Sequence, residues 1–130
     1  MPDENKVIEL TRLWWKGAGE DLQVAKASRH IPFACCFHCQ QAAEKAIKAL
    51  LVLHQADFGK THAIDDLLDL LRATSTPPPE SKTEGLHTLT RFAVETRYPP
   101  SAATPQEAAD ALDQAEKFLL WARTALPDSV

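Results

Sequence analysis

The 130 residues carry a formal net charge of −4, and they are 45% hydrophobic and 25% charged. A chain of this length forms one domain with a hydrophobic core, and its acidic balance disfavours a general attraction to nucleic acid. No apolar run approaches the ~20 residues that span a bilayer, so no membrane association is expected, and the acidic N-terminal segment lacks the apolar core of a secretion signal.

Two long helices are predicted in the first half of the chain. The first runs over about residues 6–28 and has an apolar stripe at helical spacing, into which Asp21 falls. A short connection leads to Pro32, which suits the first position of a helix. The second helix extends over about residues 32–54. Because the connection is so short, the two helices should form an antiparallel hairpin.

Capping residues and prolines delimit the later helices. Thr61 is predicted as the N-cap of a third helix, and the prolines at 77–79 should form an extended linker after it. Ser81 and Glu84 have the spacing of a capping box, which predicts the start of a fourth helix. Thr104 and Glu107 have the spacing of a second capping box, which predicts a fifth helix that begins there and ends at about Ala125.

These elements predict an all-α fold, an up-and-down antiparallel bundle of about five helices, and no alternating pattern predicts a strand. The second helix is apolar or small over most of its circumference, so it should lie at the centre of the bundle. The proline-rich stretches at 77–79 and 99–100 are interpreted as linkers within a single domain that spans residues 1–130.

A polar row on the second helix is the first candidate for a functional site. His38, Gln41, Lys45 and Lys48 fall within roughly 80° of the helical wheel, and Glu44 widens this polar arc. Composition alone favours a solvated face of an amphipathic helix as the explanation of this row, and the alternative is the lining of a cleft.

Two charged residues on other helices favour the cleft. Asp21 and Arg97 intrude on the inward stripes of the first and fourth helices, where an unpaired charge is costly. His62, near the start of the third helix, is either a surface residue or part of an anion site. Converging cations could bind a phosphate or a nucleotide. The candidate ligand-binding residues are therefore Asp21, His38, Gln41, Glu44, Lys45, Lys48, His62 and Arg97.

No metal or cofactor is expected. Cys35, Cys36 and Cys39 lie on the apolar part of the second helix, which favours small core residues over zinc ligands. Such closely spaced thiols are typical of a reducing cytoplasm, the compartment that we expect. Glu84 and His87 have the spacing used by di-iron bundles, but the sequence holds no second copy of that motif.

Trp15 and Trp121 lie off the inward stripes of their helices. They either cover the edges of the core or mark a surface for a dimer or another partner. No glycine-rich phosphate loop, Ser-His-Asp arrangement or nucleophile elbow is present, so no catalytic residue is assigned.

Four pieces of sequence, taken in order, resemble one known family. They are W-x-x-x-A-x-x-D-L at 14–22, FHCQQAAEKAIKALL at 37–51, Thr61-His62 before an Ile/Leu-rich helix, and Arg97-Tyr98-Pro99. Together they resemble the HEPN family, named for its occurrence in higher eukaryotes and prokaryotes. The resemblance implies a five-helix bundle, often a homodimer, whose members commonly accompany a minimal nucleotidyltransferase in toxin–antitoxin-like pairs.

Many HEPN proteins are metal-independent ribonucleases that depend on an Arg followed by a His four to six residues later. None of the arginines in this chain has a His at that spacing, and Arg97 is followed by Tyr98-Pro99-Pro100 and then by no His at all. The sequence therefore departs from the ribonuclease pattern of the family that it resembles.

Our hypothesis is a non-catalytic HEPN binding module that forms a homodimer and binds a nucleotide or a nucleotidyltransferase partner through the candidate cleft. One alternative is a ribonuclease toxin that acts on RNA, in which His38 or His62 replaces the missing histidine as the acid–base group. A third is a structural subunit that docks a nucleotidyltransferase through Trp15 or Trp121.

Overall fold

The computed structural model describes residues 3–94 and 102–130, and the regular structure in these residues is entirely helical. The all-α prediction is thereby confirmed. The helices are α1 (Glu4–Ala27), α2 (Pro32–Leu53), α3 (Ile64–Arg72), α4 (Glu80–Thr83), a 3-10 helix (Leu86–Leu89), α5 (Thr90–Val94) and α6 (Pro105–Ala125). The fourth predicted helix is thus present as three short helical pieces.

Local signals set the ends of the long helices. Asp3 caps α1 by accepting a hydrogen bond from the Lys6 backbone N–H at 2.8 Å. The α6 capping box is confirmed, because the Thr104 side chain accepts from the Glu107 N–H while the Glu107 carboxylate accepts from the Thr104 N–H. Pro32 occupies the first turn of α2, as its missing N–H allows.

Helix α2 is the centre of the bundle, as its composition predicts. It packs against α1, α3, α5, α6 and the 3-10 helix. Its side chains Cys36, Ile47 and Leu50 are fully buried, and so is Phe118 of α6. A helix with several packing neighbours buries much of its surface, so the buried polar residues on α2 need partners inside the protein.

Two predicted helix starts are wrong. Ala63, not Thr61, is the N-cap of α3, because the chain is still extended there, and the Thr61 hydroxyl instead accepts from the Ala63 N–H at 3.2 Å. The Ser81–Glu84 capping box does not form. Helix α4 begins one residue before Ser81 and ends at Thr83, and Gly85 then turns the chain with a φ of 77°.

Within residues 3–94 and 102–130, no helix combines the length and the apolar character that crossing a bilayer requires.

Candidate functional site

Asp21 joins the two long helices through a pair of polar contacts. It lies six residues before the end of α1, and His38 lies six residues after the start of α2, so the hairpin brings them face to face. One Asp21 oxygen is 2.9 Å from His38 Nδ1, and the other accepts from Lys45 Nζ at 2.6 Å. The Asp21 side chain is only 12% exposed. The carboxylate that the sequence places on the inward stripe is therefore satisfied by two basic partners.

Gly17 allows Lys45 to reach Asp21. Lys45 lies seven residues, or about two helical turns, beyond His38, and its side chain runs back across α1 to the carboxylate. A Cβ at Gly17 would lie 3.2 Å from Lys45 Cδ, which is tighter than ordinary contact. The absence of a side chain at Gly17 thus makes room for the lysine stem, and Lys45 remains about one third exposed.

Glu44 is the centre of a second polar cluster on α2. Gln40, Glu44 and Lys48 occupy three successive turns of the helix. Gln40 Nε2 donates to one Glu44 oxygen at 2.9 Å, and Lys48 Nζ donates to the other at 3.1 Å. His62 Nδ1 is 3.2 Å from the same oxygen that Lys48 contacts. The buried carboxylate is thus held by an amide, an ammonium and an imidazole from two segments of the chain.

Aromatic rings enclose the Lys48 ammonium. Nζ lies 5.4 Å from the centre of the Trp14 ring and 5.2 Å from that of Phe58, and the two rings meet edge to face. Their faces attract a cation and exclude water. The Lys48 side chain is only 6% exposed, whereas His62 is 71% exposed at the rim of the same cluster.

A cleft opens where the two clusters approach each other. It has a volume of about 360 Å³ and is lined by Leu10, Leu13, Trp14, Gly17 and Lys45. Trp14 belongs to the walls of this cleft and also contacts Lys48. The cleft is therefore mainly apolar, with Lys45 as its basic residue.

The structure divides the eight candidate residues between these clusters. Asp21, His38 and Lys45 form the first, and Glu44, Lys48 and His62 form the second. Gln41 donates to the Gln40 side chain at 2.6 Å and so borders the second cluster. Arg97 lies outside the described residues. The row on α2 is not a solvated face, because Glu44 and Lys48 are both buried.

Three residues of this arrangement were not among the candidates: Gln40, Trp14 and Phe58. Gln40 lies off the polar row, although its spacing of four from Glu44 is the spacing of neighbours on a helix. Phe58 comes from the loop between α2 and α3, whose path the periodicity of the helices does not give.

The cysteines of α2 are free and fully buried. Burial raises the pKa of the Cys36 thiol to about 11, and it raises the pKa values of Cys35 and Cys39 as well, because the thiolate cannot be solvated there. These groups are therefore neutral core residues and not reactive nucleophiles. Among the described residues, no group of three or more His, Cys, Asp or Glu side chains could hold a metal ion.

Comparison with known proteins agrees with this fold. The crystal structure of ST0689, an archaeal HEPN homologue, superposes with a TM-score of 0.70 at 26% identity, covering 88% of this chain and 96% of that one. The protein named “Putative toxin MJ1304” from Methanocaldococcus jannaschii is 42% identical over 57 residues, which are 42% of this chain and 37% of that protein. The HEPN domain family model matches residues 11–125, and since this is well over half of the sequence, the chain belongs to the HEPN family.

Proposed function

We propose that this HEPN protein is a binding module of a toxin–antitoxin-type pair and that the cleft between α1 and α2 takes a nucleotide. The observation that carries the proposal is the position of Lys45, which borders an aromatic-walled cleft while a nearly buried carboxylate holds its ammonium. The proposed role is recognition without catalysis.

The first cluster has the chemistry to receive a phosphate. Lys45 is the more exposed of the two lysines, and a small rotation of its flexible stem would bring Nζ to a ligand. Asp21 holds Nδ1 of His38, so Nε2 points to the opposite side of the imidazole, where a protonated ring would donate to an anion. Trp14 and Leu10 supply apolar surface of the kind that a base requires.

Lys48 has a different role in this proposal. Its ammonium is buried between two rings and bonded to Glu44, so phosphate contact would require that whole cluster to open. We therefore assign Lys48 and Glu44 to the support of Trp14, and Lys45 to the ligand.

Equilibrium titration with ATP and with AMP tests the ligand proposal. The parent protein should bind at least one of them, and Lys45→Ala should weaken binding about tenfold or more, because a charge-assisted hydrogen bond is lost. Lys16→Ala is the matched control, since it removes the same charge from an exposed position on α1. No binding by the parent, or equal binding by Lys45→Ala, would refute the proposal.

The partner that we propose is a minimal nucleotidyltransferase, and the pair would reside in the cytoplasm. Support comes from the family, from the toxin in the name of the Methanocaldococcus jannaschii relative and from the three free thiols, which fit a reducing compartment. Co-expression with a nucleotidyltransferase encoded beside this chain should give a complex that survives size-exclusion chromatography. Separate elution of the two proteins at micromolar concentration would count against it.

The pairing of Asp21 with His38 favours one second candidate function, a ribonuclease. A carboxylate on Nδ1 orients an imidazole so that Nε2 can take the proton of a ribose 2′-hydroxyl, as a general base does. Incubation with structured and single-stranded RNA in EDTA separates the two functions. Cleavage that is lost in His38→Gln but kept in His62→Ala would replace the binding proposal with this one.

A further inference from the structure

A second pocket continues the cleft along α1. It has a volume of about 330 Å³ and is lined by Val7, Leu10, Val52, Gln55, Ala56 and Asp57. Leu10 also lines the cleft that contains Lys45, so the two cavities share a wall. The α1 residues along them run from Val7 to Gly17, ten residues or about 15 Å of helix. Cleft and pocket therefore form one elongated space, with Lys45 at its Gly17 end.

The loop after α2 forms part of the pocket and is anchored to the cleft. It carries Gln55 and Asp57 at the pocket, and Phe58 of the same loop packs edge to face on Trp14, with ring centres 6.1 Å apart. Asp57 Oδ1 accepts from the Gly59 N–H at 3.1 Å, which holds the carboxylate in place. The polar groups of the pocket are thus fixed relative to the wall of the cleft.

Gln55 occupies a backbone position that glycine usually takes. Its φ is 55°, and in residues 3–94 and 102–130 no other residue except glycine has a positive φ. Its N–H donates to the Val52 carbonyl, and the Ala56 N–H donates to the Leu51 carbonyl, both at 2.9 Å. These two bonds form the motif that ends a helix at a left-handed residue, where a side chain is strained and glycine is not.

The side chain of Gln55 does not offset that strain within the monomer. Gln55 is exposed, and its amide makes no hydrogen bond to any residue in the described part of the chain. A strained residue whose side chain is unused in the free protein is typical of a functional position. The amide at the pocket is therefore available to a ligand.

The pocket combines apolar walls with an amide and a carboxylate, and this combination suits an adenine base. Adenine presents N7 as an acceptor and its N6 amino group as a donor, and one glutamine amide can bond to both. The Asp57 carboxylate only accepts, so it favours an amino group and repels the O6 carbonyl that guanine has at the same position. Val7, Leu10 and Ala56 supply apolar surface for the flat ring.

We propose that the ligand of the cleft is an adenine nucleotide, whose phosphate contacts Lys45 and whose base lies in the pocket beside Gln55 and Asp57. Gln55 determines the preference for adenine. Glycine at this position would end α2 without strain, but it would leave no amide to bond to the base. The inference rests on the proposed function, which assigns a nucleotide to the cleft, and it adds the identity of the base.

Calorimetric titration with AMP and with IMP tests the identity of the base, because IMP has a carbonyl where AMP has the amino group. The parent should bind AMP about tenfold more tightly than IMP. Gln55→Ala should reduce that ratio to about threefold, since Asp57 remains. Gln23→Ala is the matched control, because Gln23 is exposed on α1 and lines neither cavity, and it should leave the ratio unchanged.

Gln55→Gly separates recognition of the base from a structural role. It should raise the melting temperature by a few degrees, because the left-handed strain is removed, and it should reduce the ratio as far as Gln55→Ala does. A residue that only ended the helix would give the rise in melting temperature with an unchanged ratio, which would overturn the inference.

Lys45→Ala distinguishes this inference from the proposed function. It should weaken AMP and IMP by the same factor, because it removes a contact to the phosphate that the two share. Equal binding of AMP and IMP by the parent would overturn the adenine assignment and leave the nucleotide proposal intact. An unchanged AMP affinity of Lys45→Ala with the ratio retained would refute the phosphate contact and support the base pocket. Binding of neither nucleotide would refute both.

Discussion

The Lys48 ammonium is almost completely buried. Its ammonium has one carboxylate partner, Glu44, and two ring faces, from Trp14 and Phe58. Removing both ions from water is costly, so such a pair adds little net stability compared with apolar residues of the same volume. The pair affects stability when it is broken, because removing one ion leaves the other as a buried charge without its partner.

We therefore expect Lys48→Met to lower the free energy of unfolding by about 3 kcal/mol, because Glu44 is left as a buried carboxylate with a weaker set of partners. The double variant Lys48→Met/Glu44→Gln should recover most of that loss. Urea unfolding at pH 7 measures both, with Lys16→Met as the exposed control. Equal stability of Lys48→Met and the parent would show that His62 and Gln40 alone can satisfy Glu44.

At the scale of elements, the run after the proline linker shows how one residue can divide a helix. Leu86 and Leu89 are buried as the helical spacing predicts. Gly85 nevertheless adopts a left-handed φ of 77°, which no continuous right-handed helix contains. A Cβ there would also collide with the amide of Gln114 on α6. The periodicity of the apolar residues predicts which side faces the core, but it does not predict a break that packing against α6 requires.

Gly85→Ala should consequently destabilise the protein more than Gly59→Ala does. Gly59 also has a positive φ, but a Cβ there would meet open space. The Gly59 variant should therefore lose only about 1 kcal/mol in free energy of unfolding, which comes from backbone strain. Adding Gln114→Ala to Gly85→Ala should remove the collision and leave the strain. Thermal unfolding of the four proteins checks this order, and equal losses for the two glycine variants would contradict it.

At the scale of the whole molecule, the sequence predicts which residues belong to the site better than it predicts which of them contact one another. Helical periodicity places His38 and Lys45 on one row of α2 and Asp21 on the inward stripe of the neighbouring helix, and the hairpin then joins them. The partners of Glu44 follow a different rule. His62 reaches it from the loop before α3, and the direction of a loop depends on the packing of the finished fold.

Burial of the Cys36 thiol in the core makes the stability of the protein depend on alkaline pH. In the unfolded chain the Cys36 thiol ionises near its ordinary pKa of 9.0, whereas burial raises its pKa to about 11 in the folded protein. Between these two values the folded state holds a proton that the unfolded state has lost. The contribution of this buried thiol to the free energy of unfolding is therefore fully present below pH 9, and it is lost as the pH rises from 9 to about 11.

Cys36→Ala should make this alkaline loss of stability smaller. Each thiol contributes at most about 1.4 kcal/mol for each pH unit in which only the unfolded state is ionised, so the variant should lose about 1 to 2 kcal/mol less than the parent between pH 8 and pH 10.5. The smaller side chain also weakens the core, but that cost is the same at every pH and cancels in the difference. Urea unfolding in the presence of a reductant gives both free energies. Parallel pH profiles for the two proteins would mean that the thiol of Cys36 reaches solvent and ionises in the folded state.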